Sequence, residues 1–484
     1  MTLAVRIVSG AYRDSVALMQ LSAELAELPG IRRASLVMAT PANLGLLAEA
    51  GLLEQPLEAA PNDLVIALEG RALEAAFEHA IRALGERRER TTAAVATLPK
   101  SLAQAHAAVP QANLALISVP GEYAAAEARK ALRLGLNVML FSDNVPLEDE
   151  AALKREAGER GLLLLGPDCG TAIVDGQRLG FANHVRAGRI GCIAASGTGL
   201  QEVTCLVDRL GEGISQAIGT GGRDLHEAVG GLATIESLER LAADRDTRVI
   251  VLVSKPPAAA VAERVLAAAA KTRKPIVVCF LGMTSRRTSG ARFVHVSTLE
   301  EAAHAAVALA RNRKVSFRAR HPRGLPRIAA PRRYVRGLFS GGTFAYEAAR
   351  LLEEAGLEPS KNRVIDLGDD IFTRGRPHPM IDPRLRIERI AAEAADPQVA
   401  VLLLDVVLGD GAHPDPAAAF LPPLKDAVKR RVAVVASVCG TERDPQVRSR
   451  QVKHLKEAGV LVAESNAQAA RLAAAIAARA GGAR

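Results

Sequence analysis

Apolar residues in this chain fall in short unbroken runs rather than in alternating ones. NLALISV, LNVMLFS, GLLLLGP, RIGCIAAS, RVIVLVS, PIVVCFLG, AVLLLDVV and VAVVASV show no period of two, which is the pattern of strands covered on both faces. Between them lie stretches such as EYAAAEARKALRLG and QEVTCLVDRLGEG, apolar along one helical face and closed by glycine. Strand and helix therefore alternate, and the pattern predicts an α/β protein with parallel sheets.

Part of this alternation repeats. RIGCIAASGTGLQEVTCLVDRLG and YVRGLFSGGTFAYEAARLLEEAG each read as strand, Ser-Gly turn, helix and closing glycine. ISQAIGTGGRD then matches NRVIDLGDD, DTRVIVLVS matches DPQVAVLLLD, and KPIVVCFLG matches RVAVVASVCG. RFVHVSTLEEAAHAAVALAR matches GVLVAESNAQAARLAAAIAAR last. Elements recurring in one order at an offset of about 150 residues indicate a duplicated domain rather than a short-period solenoid. The expected division is a Rossmann-like N-terminal unit (1–165), a first flavodoxin-like copy (166–312), a linker (313–333) and a second copy (334–484). The N-terminal strands are read as DLVIAL, NLALISV, LNVMLFS and LLLLGP. The first turn, VSGAYRDS, lacks the GxGxxG that cradles a dinucleotide, so a nicotinamide cofactor is disfavoured.

Composition narrows the function classes. Aromatic residues make up 3% of the 484 and Trp is absent, which suits base stacking poorly and argues against a nucleic-acid partner. The net charge of +9 belongs to one stretch: Arg311 to Arg336 holds ten Lys or Arg and no acid. Without it, 52 basic residues face 53 acidic ones. That stretch reads as a solvated linker, or as a docking strip for an acidic partner. Five cysteines without CxxC spacing argue against a disulfide framework or a zinc site, and no metal site is expected. MTLAVRIVSGAYRDS lacks a signal-peptide core, and no apolar run approaches the ~20 residues of a membrane span. A cytoplasmic protein with no membrane partner is expected.

The two Ser-Gly turns carry the strongest chemical signal. A strand running through small residues into a helix leaves the first N–H groups unpaired, at the positive end of the helix dipole. Glycine lets an anion approach, and the Ser and Thr hydroxyls add donors. Ser196, Gly197, Thr198, Gly199 and Ser340, Gly341, Gly342, Thr343 would form one phosphate or carboxylate site if the copies face each other. Gly221 and Gly222, in the strand-end loop GTGGRD, are expected beside it. Asp369, Asp370, Asp405, Asp410 and His413 lie in other strand-end segments, as cation or acid–base groups or as turn caps. Arg374, Arg376 and His378 stand in the polar loop RGRPHPMIDP, and arginine suits bidentate contacts to carboxylate or phosphate. Cys169 and Cys439 also lie at strand ends, with no base pairing to either in the sequence pattern.

From NLALISVPGEYAAAEARKALRLGLNVMLFSDNVP through LLLLGPDCGTAIV, RIGCIAASGTGLQEV and IGTGGRDL the chain resembles the α subunit of succinyl-CoA synthetase. The stretch from SGGTFAYEAARLLEEAG to SNAQAARLAAAI resembles the CoA-ligase domain of its β subunit. SGGTFAYEA, IDLGDDIFTRGRPHPMIDP, LLLDVVLGDGAHPDP and ASVCGTERDP resemble the FdrA family, which joins these parts in one chain. In the synthetase the two helices stabilise a phosphohistidine from opposite sides, so the resemblance implies phosphate binding at Ser196–Gly199 and Ser340–Thr343. The synthetase's Gly-His-Ala-Gly motif is replaced here by MTSRRTSGARFVHVS, in which His295 falls inside an apparent strand. Ser254-Lys255 stands where the synthetase has the glutamate that holds the phosphohistidine. Gaining a cation there implies a free anion, with Lys255, Arg376 and His378 as the candidate catalytic groups.

The FdrA resemblance implies a subunit of a carbamoyltransferase acting on oxamate, carbamoyl phosphate and phosphate in allantoin breakdown, assembled with other subunits and without a covalent enzyme intermediate. No cofactor is then required. The alternatives are an acyl-CoA synthetase, for which CoA or a nucleotide would bind, and a scaffold subunit that keeps only the fold.

Overall fold

The computed structural model describes residues 2–11, 13, 15–71, 73–89, 99–283, 293–318, 324–373 and 377–480. They fall into two compact units, Met1–Pro110 with Gly368–Asp382, and Gln111–Leu367 with Pro383–Arg484.

The first unit contains β1 (Thr2–Val8), α1 (Ser15–Ala26), β2 (Ile31–Met38), α2 (Pro41–Glu49), β3 (Leu64–Gly70), α3 (Leu73–Glu89) and the short α4 (Leu102–Ala108). Its sheet runs β1-β3-β2 and both pairings are antiparallel. This corrects the Rossmann-like reading for the first 110 residues. The cause is β3, which is buried at every position. Leu64, Ile66 and Leu68 face one apolar cluster, while Val65 and Ala67 face another on the opposite side. A central antiparallel strand covered on both faces has the same unbroken apolar run as a parallel one.

The second unit opens with the expected βα alternation: β4 (Leu114–Ile117), α5 (Gly121–Arg133), β5 (Asn137–Leu140), α6 (Leu147–Glu159) and β6 (Leu164–Leu165). These three strands are parallel in the order β4-β5-β6. A hairpin follows, β7 (Thr171–Val174) and β8 (Gln177–Gly180).

The first copy is β9 (Ala187–Ala195), α7 (Gly197–Arg209), β10 (Ile214–Gly219), α8 (Leu232–Ala243), β11 (Val249–Ser254), α9 (Ala259–Ala270), β12 (Ile276–Phe280), β13 (Phe293–His295) and α10 (Leu299–Ala310). The second begins with β14 (Tyr334–Phe339), α11 (Gly342–Glu354) and β15 (Arg363–Asp366). The short α12 (Asp370–Thr373) lies within the segment grouped with the first unit. The copy continues as α13 (Arg384–Ala395), β16 (Val399–Val407), α14 (Pro416–Lys429), β17 (Ala433–Cys439), α15 (Arg448–Glu457), β18 (Leu461–Ala463) and α16 (Asn466–Ala480).

The two copies share one strand order. The first runs β13-β12-β11-β9-β10 before the antiparallel β7-β8 edge, and the second runs β15-β14-β16-β17-β18. In both, the first strand lies between the second and the third, as in a doubly wound sheet. Parallel neighbours are joined by crossovers, most of them here through a helix, which is why the apolar runs and amphipathic stretches alternate. Gly211 and Gly356 take positive φ (+79° and +80°) just past α7 and α11, as a C-terminal glycine should. No described helix is long and apolar enough to cross a membrane.

The basic stretch is less free than its composition suggests. Arg336 lies buried in β14, with Glu393 at 3.0 Å, and Arg332 donates to the carbonyls of Asp396 and Val399. Arg311 donates to the carbonyl of Leu210. Residues 319–323 of this stretch lie outside the described residues.

Candidate anion site where the two copies meet

Both Ser-Gly turns stand at the C-terminal edge of a parallel sheet, where ligands of such sheets bind. Ser196 caps α7: its backbone is extended and its Oγ accepts from the N–H of Gly199 at 2.9 Å. The same Oγ lies 2.5 Å from Oγ1 of Thr343, in the first turn of α11. The two helix starts therefore touch.

Glycine makes the approach possible. A Cβ on Gly341 would lie 2.7 Å from Cγ2 and 2.8 Å from Oγ1 of Thr198, closer than packed atoms come. A Cβ on Gly342 would meet the Asp366 carboxylate, with Lys255 Nζ at 3.8 Å. At Gly197 a Cβ would find only Thr171 Oγ1, at 3.9 Å, so this side of the junction has room.

The second helix start is partly occupied by its own chain. Ser340 donates its N–H and its hydroxyl to Asp405, each at 2.9 Å. Asp405 is in turn paired with Arg386 at 2.8 Å, and both side chains are buried. Burial lowers the pKa of Arg386 while the Asp405 carboxylate opposes that shift.

Behind the junction the copies exchange caps. The backbone N–H of Asn466, at the start of α16, donates to Glu202 of α7 at 3.0 Å. The N–H of Leu299, at the start of α10, donates to Glu347 of α11 at 2.8 Å. Each copy thus supplies a carboxylate to a helix start of the other. Asn466 also donates from its side chain to Glu347 at 2.8 Å. Burial pushes the Glu347 carboxyl up to about 7, against the lowering pull of the Leu299 and Asn466 donors. Burial raises Glu202 in the same direction.

The remaining candidates have contacts of their own. Gly221, at φ +90°, packs against Gly166 and Pro167, and Gly222 faces Asp168. His378 lies in the first unit, where its Nδ1 accepts from the N–H of Met380 at 3.2 Å. Arg374 and Arg376 lie outside the described residues, as do 284–292 of the segment replacing the phosphohistidine motif. Asp369 accepts from the N–H of Ile371, and His413 Nδ1 from that of Asp415, so both serve as turn caps. Asp410 sits between His184 at 2.8 Å and Arg178 at 3.1 Å. Cys169 is buried, its Sγ donates to the Gly219 carbonyl, and burial drives its pKa up to about 12, so it is no ready nucleophile. His295 occupies β13 as the sequence suggests. Thr171, Asp366 and Arg386 were not legible beforehand, because a buried arginine in an amphipathic helix looks like a surface one.

A family model described as CoA-ligase matches residues 338–476, and one described as CoA binding domain matches 185–282, so each copy has its own match. Residues 1–99 match a model described as AllF, heavy metal-associated domain. The uncharacterized protein YahF of Escherichia coli K12 is 41% identical over 517 aligned positions, covering 98% of each chain. The chain belongs to the YahF family. The mitochondrial succinate–CoA ligase subunit alpha-2 of Trichomonas vaginalis is 30% identical over 39% of this chain and 62% of that one. The alpha 2 subunit of Archaeoglobus fulgidus is 29% identical over 30% of this chain and 50% of its own. The YahF-family chain thus spans 62% or less of these two ligase subunits.

The metal implied by the N-terminal model does not fit the residues present. Residues 1–99 contain no cysteine and one histidine, His79, which pairs with Glu24 at 2.7 Å. Soft metals favour sulfur ligands, thiolate above all, and the described residues hold no cluster of three His, Cys, Asp or Glu placed for a metal.

Proposed function

We propose that this chain is a CoA-ligase-type subunit. It holds the phosphate of a small acyl phosphate beside the α7 start and passes the acyl group to the thiol of CoA. The observation that carries the reading is the 2.5 Å contact between Ser196 and Thr343, which brings the two helix starts together beside the open flank of Gly197. The CoA-ligase and CoA-binding matches weigh towards this reading over carbamoyl transfer, the main expectation from the FdrA resemblance.

In the transfer the thiolate attacks the acyl carbon, a C–S bond forms, and the bond from that carbon to the bridging phosphate oxygen breaks. Phosphate leaves with the bonding electrons, and the thiol proton goes to solvent or to the departing phosphate. Negative charge grows on that phosphate. The unpaired N–H groups at the α7 start and the Lys255 ammonium stabilise it, and fixed dipoles need no reorganisation as the charge develops. No phosphohistidine enters, since the one histidine of the segment replacing that motif, His295, belongs to β13. The direct test follows thioester formation from acetyl phosphate and CoA, with phosphate binding measured by calorimetry. Gly197→Val should abolish both while the protein keeps its fold. Absence of phosphate binding in the unaltered protein would sink the reading.

Carbamoyl transfer from carbamoyl phosphate to oxamate, releasing phosphate as the C–N bond forms, is the second reading. The AllF-type match over residues 1–99 favours it. Oxamate-dependent phosphate release without any CoA requirement would select it. Phosphate binding with neither transfer would select the scaffold reading.

A further inference from the structure

A cleft of about 600 Å³ opens at the other end of the first copy's sheet. Its floor is the start of β9 (Ala187, Gly188, Arg189), the start of β10 (Ile214, Ser215, Gln216) and the approach to β11 (Arg245, Asp246, Arg248). The β7–β8 hairpin walls it with Ile173, Asp175 and Arg178. The α7 start of the junction is at the C-terminal end of β9, one of these strands. The eight residue steps of β9 separate the two places by roughly 25 Å at about 3.3 Å per step.

Four arginines line this cleft against two aspartates. Arg178 is paired with Asp410 at 3.1 Å and Arg189 with Glu212 at 3.1 Å. Asp175 is engaged with Gln216 at 2.8 Å. The guanidinium groups of Arg245 and Arg248 have no hydrogen-bond or ion-pair partner among the described residues. Isolated surface arginines are ordinary. Two free ones at the rim of one cleft, with the spare donors of two more nearby, form a concentrated anion receptor, because each guanidinium presents five N–H donors. Ile173, Val185, Ala187 and Ile214 give the same cleft an apolar wall. Its volume is that of a small-molecule site, larger than one inorganic anion fills.

We infer that this cleft is a second ligand site, distinct from the junction, for a nucleotide-sized molecule bearing at least two phosphate or carboxylate groups. The anionic groups pair with Arg245 and Arg248, and the body of the ligand lies on the apolar wall. The inference stands apart from the acyl-transfer reading, since it uses none of the junction residues.

The test is calorimetric titration of the full chain with ATP, citrate and pyrophosphate in turn at physiological salt. At least one should bind, and the double variant Arg245→Ala/Arg248→Ala should weaken it by about tenfold or more, as loss of two charge-assisted contacts requires. Lys255→Ala, at the junction, should leave that affinity within about twofold. So should Lys453→Ala/Lys456→Ala, which removes the same charge from an exposed helix and controls for long-range attraction. Thermal melts confirm that each variant is folded. The inference fails if none of the three probes binds. It fails equally if the arginine variant binds as tightly as the unaltered chain, or if either control weakens binding as much. Phosphate binding at the junction, read separately with Gly197→Val, is untouched by any of these failures.

Discussion

The two helix starts come from one duplicated pattern, yet they have been put to different use. In the first copy, Ala195 pairs with Ser254 across β9 and β11. In the second, Leu338 pairs with Leu404, so one step further Phe339 stands beside Asp405. Ser254 and Asp405 therefore hold equivalent places. Where the first copy has a neutral hydroxyl and an exposed Lys255, the second has a carboxylate that takes the Ser340 donors and is clamped by Arg386. The first pole has no carboxylate at that place, and the second is neutralised internally. Duplication gives two equivalent helix starts, and one buried carboxylate is enough to change the electrostatics of the second.

The sharpest way to break this comparison is to remove that carboxylate. Asp405→Ala leaves Arg386 buried without its partner and should cost about 3–5 kcal/mol, whereas Ser254→Ala should cost under about 1 kcal/mol. Denaturant unfolding of the two variants measures both. If they prove equal, the two poles are not differently built.

The exchanged glutamates give the next effect. Glu347 has a folded pKa of about 7, raised by burial above the ordinary 4.5, so the folded state holds a proton that the unfolded chain releases. Its contribution is complete below the unfolded pKa and is lost as pH rises through the folded value. Stability should fall between about pH 4.5 and 7 by up to roughly 3 kcal/mol, and Glu347→Gln should flatten that slope. Melting curves across this window decide it, and an unchanged slope in the variant would place the titration elsewhere.

Glycine substitutions come third. Gly341→Ala should destabilise by about 1–3 kcal/mol, since its Cβ overlaps Thr198, while Gly197→Ala should be close to neutral. The smallest effect is the hydroxyl contact itself. A double-mutant cycle with Ser196→Ala and Thr343→Ala should return a coupling of about 1 kcal/mol, and a coupling of zero would mean that the helix starts do not support each other.

Much of this architecture can be read from the chain. The runs RVIVLVS and AVLLLDVV became β11 and β16, and the aligned repeat became two sheets of one strand order, because both follow from local pattern. DLVIAL misled for the same reason: a strand's apolar run records how many of its faces are covered and not the direction of its neighbours. At the site, both Ser-Gly turns were legible as helix starts, since strand, small residues and helix are consecutive. That Ser196 meets Thr343 depends on positions 147 apart, and no local signal carries such a distance. Likewise Asp405, one of several strand-end acids, was separable from the turn caps only once Arg386 was seen beside it.

By itself, then, the sequence determined the elements, their duplication and the chemistry of each turn, because these rest on neighbours along the chain. The tertiary structure alone decided which helix starts meet, which carboxylate neutralises the second and how each copy caps its twin. Those outcomes depend on burial and on charge pairing between distant segments, and burial sets what an ionised group costs.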